Sequence, residues 1–208
     1  MQIIHIDPLF VVITKPSGLL SVPGRGEAMQ DCAANRIKAL FPDCIDQPAV
    51  HRLDMDTSGL MVIARTSEAH KNLSGQFAGR QVEKHYIALL EGRLQHQSGE
   101  ISLPFRLDPD NRPYQIYDPV HGKMGVSRWR LLGIEGERSR VEFIPLTGRT
   151  HQLRLHAAHP LGLGMPIVGD RLYGRGKLPG ELLLHASLLA FCHPESGRRM
   201  VWELQAKW

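Results

Sequence analysis

The stretch His51-Arg52-Leu53-Asp54-Met55-Asp56-Thr57-Ser58-Gly59 decides how the rest of this chain is interpreted. It places charged and small polar residues at a turn, and the apolar run at 60–64 that follows it predicts a buried strand. In an extended segment, side chains at i and i+2 share a face, so Arg52 and Asp54 point the same way while Leu53 points into the core. A guanidinium beside a carboxylate favours its ionised form, the form that a nucleophilic aspartate needs. The alternative is a purely structural ion pair.

Composition sets broad limits on the function. No window approaches the roughly 18 apolar residues of a membrane-spanning helix. The N-terminus lacks the basic and apolar regions of a signal peptide, and three cysteines without zinc spacing indicate free thiols, so we expect a cytoplasmic protein. A formal net charge of +4 is a mild bias toward polyanions. The second half is rich in basic residues, which fit either an RNA-facing surface or a solvated face: Arg106, Arg112, Lys123, Arg128, Arg130, Arg138, Arg140, Arg149, Arg154, Arg171, Arg175 and Lys177.

Periodicity gives a coarse order of elements. Strands are predicted at 3–6, 9–15, 82–94, 126–132, 140–146, 182–192 and 200–204, and helices at 27–40 and from Ser67, as N-cap, to Gly79. The segment 99–123, rich in Pro, Asp and Gly, is predicted to be a long surface excursion. Thr150 is predicted to cap a third helix, on which His151 and Arg154 lie within a turn of each other.

Two further motifs contain residues of types that are suited to binding or catalysis. Lys84-x-Tyr86 lies in a predicted strand, where a tyrosine is ordinarily a packing residue but also offers a stacking face for a base and a hydroxyl for proton transfer. The second motif is Gly148-Arg149-Thr150-His151-Gln152-Leu153-Arg154.

Together with the stretch at 51–59, these motifs resemble those of the RluA-type RNA pseudouridine synthases. Lys15-Pro16-Ser17-Gly18, which alone indicates only a strand-ending turn, also resembles the family, as do 166–174 and 182–186. The resemblance covers nearly the whole chain and favours the RluA branch, which acts on large-subunit rRNA and a tRNA anticodon stem-loop. Many relatives carry an N-terminal S4 domain, whereas residues 1–208 are expected to form a single catalytic domain.

The resemblance implies an α+β fold, with a long, mostly antiparallel mixed sheet, flanking helices and a central cleft that holds Asp54. It implies isomerisation of uridine to pseudouridine in RNA, without cofactor or metal, by a protein expected to be monomeric. Asp54 either attacks the nucleotide or abstracts a sugar proton, Tyr86 stacks on the base and helps to remove the C5 proton, and Arg154 pairs with Asp54. The target nucleotide is flipped out, with Arg52 filling the vacated space. The expected RNA contacts are Arg52, Arg149, His151, Arg106 and Arg112.

The sequence allows three other interpretations. His151, His156 and His159 form the best candidate metal cluster, but no glutamate or carboxylate pair accompanies them. Asp56-Thr57-Ser58-Gly59 resembles the loop of aspartic proteases, yet the chain holds no second copy to complete the carboxylate pair. A non-catalytic RNA-binding module explains the arginines and leaves Asp54 without a role.

Overall fold

The computed structural model describes residues 1–208, which separate into two compact units. Unit 1 comprises residues 1–84 and 185–208, and unit 2 comprises residues 85–184. Each unit has an apolar core of its own. Because the two stretches of unit 1 flank unit 2 in the sequence, unit 1 is discontinuous and unit 2 is continuous.

Unit 1 contains five strands and two helices. The strands are β1 (Gln2–Ile6), β2 (Phe10–Lys15), β3 (Ser58–Ala64), β9 (Leu184–Cys192, of which Leu184 belongs to unit 2) and β10 (Arg199–Glu203); the helices are α1 (Ala33–Leu40) and α2 (Ser67–Ala78). The spatial strand order is β1-β2-β3-β9-β10. Only β3 and β9 pair in parallel.

Burial explains why these segments form a sheet with a helix against it. Strand β2 begins Phe10-Val11-Val12-Ile13, all fully buried, and β-branched residues favour a pleated, buried strand. Helix α2 begins after Thr66, whose side-chain oxygen accepts a hydrogen bond from the Ala69 N–H at 3.2 Å. Ala69 and Leu73 on α2 are fully buried in the core of unit 1.

Unit 2 contains five strands and one helix. These are β4 (Glu83–Glu91, of which the first two residues belong to unit 1), β5 (Ser98–Leu107), β6 (Gln115–Tyr117), β7 (Lys123–Glu135), β8 (Arg138–Pro145) and α3 (Gln152–Ala158). The strand order is β4-β8-β7-β5-β6, with every pair antiparallel.

The α+β class and the mixed, mostly antiparallel strand pairing are confirmed. The single domain and the central cleft stay predictions. No helix has the length and apolar character needed to cross a membrane.

Several element boundaries were wrong. The helix predicted at 27–40 is a 3-10 turn at Glu27–Met29 followed by α1, and Thr66, rather than Ser67, caps α2. The surface excursion at 99–123 is mostly strand, because Ile101, Leu103 and Phe105 alternate with outward residues and bury their side chains in the core of unit 2.

Candidate active site

Asp54 lies in a tight loop of unit 1 directly before β3. Leu53 is only 5% exposed, as predicted, whereas Arg52 is exposed and Asp54 is partly exposed. The Thr57 N–H donates to the Asp54 carbonyl at 3.1 Å and closes the turn. The local sequence therefore places Leu53 as the buried anchor and leaves Asp54 partly exposed.

A second segment, residues 15–21, holds the main chain of this loop. The Ser21 hydroxyl donates to the Leu53 carbonyl at 2.7 Å and accepts from the Leu53 N–H at 3.0 Å. The Gly18 N–H donates to the Met55 carbonyl at 3.0 Å, and the Ser17 hydroxyl donates to the Asp56 carbonyl. The peptide groups on both sides of Asp54 are thus fixed by hydrogen bonds from a segment more than thirty residues earlier.

Lys15 is the charged residue of this segment, and it is fully buried. Its Nζ donates to the carbonyls of Pro16, Leu19 and Met55 at 2.9, 2.7 and 2.9 Å. Burial lowers the pKa of Lys15 to about 8, against the opposing attraction of the Asp54 and Asp56 carboxylates. The ammonium therefore both fastens the loop and places a positive charge within electrostatic reach of Asp54.

The downstream end of the loop is fixed by β9. The Ser58 hydroxyl lies 2.8 Å from Nδ1 of His185, its parallel partner in the sheet. Gly59 follows with φ +114°, and a Cβ there would lie 2.4 Å from the carbonyl oxygen of Ala186. Only glycine allows β3 and β9 to approach so closely at this point.

His51, the first residue of the motif, is held by contacts with β3 and α2. Its Nε2 accepts from the Val62 N–H at 3.1 Å, and its ring stacks on Phe77 with 4.4 Å between centroids. Burial, with a smaller contribution from the charge of Lys84, lowers the pKa of His51 to about 3. His51 is consequently neutral near pH 7 and supports the loop.

Unit 2 carries the other two predicted catalytic residues. Tyr86 lies on β4 opposite Phe143 of β8, partly buried against the core of the unit. Arg154, on α3, is 3% exposed and binds Asp170 through Nε at 2.8 Å and Nη2 at 2.6 Å. The predicted pairing of Arg154 with Asp54 stays a prediction.

Asp170, the partner of Arg154, is a residue that the sequence analysis did not single out. Its Oδ1 also accepts from the N–H groups of Leu172 and Tyr173, at 2.8 and 3.0 Å. Burial raises the pKa of Asp170, but hydrogen bonds and charge from Arg154, with these two N–H groups, outweigh it and the net pKa is lowered. The Arg154 guanidinium is thus held in a fixed orientation by a buried, ionised carboxylate.

The segment before α3 differs from the prediction. His151, with a left-handed φ of 55°, stands at the N-cap position in place of Thr150, so it precedes the helix. Its Nδ1 lies 2.9 Å from the Tyr173 hydroxyl. Arg149 is exposed, and its N–H donates to Oε1 of Gln152 at 3.1 Å.

Comparison with known proteins identifies the family. The family model described as RNA pseudouridylate synthase matches residues 9–159. The chain belongs to this family. It is 41% identical to the "Dual-specificity RNA pseudouridine synthase RluA" of Haemophilus influenzae, over 99% of this chain and 93% of that protein. The protein of the same name from Pasteurella multocida is 44% identical, over 93% of this chain and 88% of that protein.

A solved structure agrees with this assignment. "Human RNA Pseudouridylate Synthase Domain Containing 1" is similar with a TM-score of 0.79 and 27% identity, over 99% of this chain and 83% of that chain. The resemblance to the RluA-type family, inferred from the motifs, is therefore confirmed.

Arg106 and Arg112, two of the residues expected to contact RNA, lie at the end of β5 and in the connection between β5 and β6. Arg112 is exposed there, and Arg106 forms an ion pair through Nε with Asp118. The segment 104–123 contains three residues of each sign of charge: Arg106, Arg112 and Lys123, against Asp108, Asp110 and Asp118. It therefore carries no formal excess of positive charge.

The histidines do not form a metal cluster in the structure. No group of three or more His, Cys, Asp or Glu residues is placed to hold a metal ion. Both ring nitrogens of His156 are buried without a hydrogen-bond partner, and burial lowers its pKa to about 4. The absence of a metal requirement stays a prediction. The three cysteines are free thiols, as predicted.

Proposed function

We propose that Asp54 is the catalytic carboxylate with which this RNA pseudouridine synthase converts uridine to pseudouridine. The observation that carries the proposal is the support of its loop: Lys15, Ser17 and Ser21 fix the main chain on both sides of a partly exposed carboxylate. Catalysis depends on reacting groups that are held in place before the substrate arrives.

The reaction breaks the N1–C1′ bond of uridine, turns the uracil, and forms the C5–C1′ bond. N1 gains a proton and C5 loses one, so atoms and electrons balance without a cofactor. In our proposal Asp54 either attacks the nucleotide or abstracts a sugar proton. Tyr86 stacks against the uracil and takes part in removal of the C5 proton. Arg154, oriented by Asp170, pairs with Asp54 and keeps it ionised.

The substrate is a structured RNA whose target nucleotide is flipped out of its stack, and Arg52, which is exposed next to Asp54, fills the space it leaves. Because the relatives are named dual-specificity enzymes, we infer more than one target, in large-subunit rRNA and a tRNA anticodon stem-loop. Arg149, His151, Arg106 and Arg112 are proposed as further RNA contacts. We expect the enzyme to act as a monomer in the cytoplasm.

The test is Asp54→Asn, which keeps the size of the side chain and removes its charge. Tritium release from C5-labelled uridine in RNA measures turnover directly. We expect the variant to fold and to bind RNA but to lose isomerisation. The matched control is Asp46→Asn, because the Asp46 side chain is 99% exposed. Turnover of Asp54→Asn within about tenfold of wild type would refute the assignment.

A further inference from the structure

Residues 169–177, Gly169-Asp170-Arg171-Leu172-Tyr173-Gly174-Arg175-Gly176-Lys177, form what we call the arginine loop. Its one acidic side chain, Asp170, is fully buried and bound to Arg154. The exposed charged side chains of the loop, Arg175 and Lys177, are therefore both positive.

The arginine loop is folded on itself by main-chain hydrogen bonds. The Asp170 carbonyl accepts from the N–H groups of both Gly174 and Gly176, at 3.1 and 3.0 Å. A Cβ at Gly176 would lie 2.1 Å from the Gly169 carbonyl oxygen, so the two ends of the loop touch. A loop ordered before binding loses less conformational entropy when it meets a partner.

The arginine loop also contacts the segment that precedes α3. The Tyr173 hydroxyl lies 2.9 Å from His151, and the Arg154 guanidinium lies 5.5 Å from the centre of the Tyr173 ring. Arg149 is exposed two residues before His151, the residue that contacts the loop.

Two acidic residues offset part of the charge of this surface, against the four basic residues Arg149, Arg171, Arg175 and Lys177. Glu91 lies 3.9 Å from Arg175, whose side chain is still 90% exposed. The Glu181 carboxylate accepts from the main-chain N–H groups of Lys177 and Leu178 and also attracts the charge of Lys177. By contrast, Arg128 and Arg130 on β7 are paired with Glu100 and Glu142, at 3.2 and 2.9 Å.

We infer that the arginine loop binds RNA phosphates, with Arg175 and Lys177 as its contacts and Arg149 beside them. An exposed guanidinium or ammonium on a rigid loop, with an excess of positive charge around it, fits a phosphate oxygen. Phosphate contacts fix the position of an RNA without reading its bases. The loop therefore serves an enzyme with more than one RNA target, and this inference rests on the proposed function.

The experiment is a salt titration of binding to a fluorescein-labelled RNA hairpin with uridines in its loop. Each neutralised phosphate contributes roughly 0.7 to 0.9 to the log–log slope. The double variant Arg175→Gln/Lys177→Gln should therefore reduce the slope by about 1.4 to 1.8. The matched control Arg128→Gln/Arg130→Gln removes the same charge from β7 and should change the slope by less than about 0.5.

Two further measurements separate charge from structure. Arg175→Lys keeps the charge and should keep the slope, and a hairpin with a rearranged stem sequence should lose as much affinity to the double variant as the first hairpin does. An unchanged slope for the double variant, with tritium release by wild type intact, would overturn the phosphate assignment alone. Absence of pseudouridine formation by wild type would instead overturn the proposed function.

Discussion

Gly59→Ala tests whether the close approach of β3 and β9 supports the Asp54 loop. The new Cβ at position 59 would lie 2.4 Å from the carbonyl oxygen of Ala186 and 2.5 Å from the main-chain nitrogen of Ala186. The backbone at Gly59 also has a φ of +114°. Backbone strain of this kind costs about 1 to 3 kcal/mol, and forcing an extra carbon into a packed site costs about as much again. We therefore expect a loss of about 2 to 6 kcal/mol from the free energy of unfolding.

The assay is urea unfolding, with Gly75→Ala as the matched control. Gly75 lies within α2, and a Cβ there would meet nothing within 4 Å. The same substitution should thus stabilise the protein by about 0.5 to 1 kcal/mol, because alanine favours a helix. If β3 and β9 move apart to relieve the clash, the contact between Ser58 and His185 is broken and turnover falls as well. A Gly59→Ala protein within about 1 kcal/mol of wild type would refute the reasoning.

Three other outcomes are expected. Tyr86→Phe keeps the ring and loses the hydroxyl, so tritium release should fall by about a hundredfold or more while RNA affinity changes little; full activity would restrict Tyr86 to packing or stacking. Stability should decline as the pH falls from about 6.5 towards 4, because the unfolded chain takes up protons on His156 and His51 that the folded chain does not bind there. His156→Phe removes one of these two contributions and should make that part of the urea-midpoint profile less steep. EDTA should leave tritium release unchanged; stoichiometric zinc in purified protein, with activity lost to EDTA and restored by metal, would contradict this.

Local chemistry made the Asp54 loop predictable. A buried leucine between two charged residues, followed by a β-branched run, places the turn and β3 without knowledge of the remaining chain. The motif around Tyr86 likewise predicts a strand, since its apolar continuation leads into the buried residues 88–90 of β4. Both inferences depend on neighbours within a few residues.

Two of the failures involve contacts between distant residues, and the other two are local. Lys15 looks like the last residue of a strand, and its burial depends on the Met55 carbonyl forty residues later. Asp170 holds Arg154 across sixteen residues, and no spacing rule links the two. The strand β5 was missed because Pro104 and the surrounding turn residues obscured the alternation of Ile101, Leu103 and Phe105. The cap of α3 was misplaced because His151 stands at the N-cap in a left-handed conformation, which is uncommon among non-glycine residues.

The discontinuity of unit 1 gives the enzyme an order of assembly during synthesis. Unit 2 is continuous, so its strands and α3 are all translated before any residue of the stretch 185–208 exists. Until then unit 1 lacks Leu189 and Phe191, which complete its core, and Ser58 lacks His185. Domains generally fold as units as they leave the ribosome. A nascent chain stalled after residue 184 should therefore display a folded unit 2 and an unfinished Asp54 loop. Release of residues 185–208 should be the step that completes unit 1 and allows catalysis.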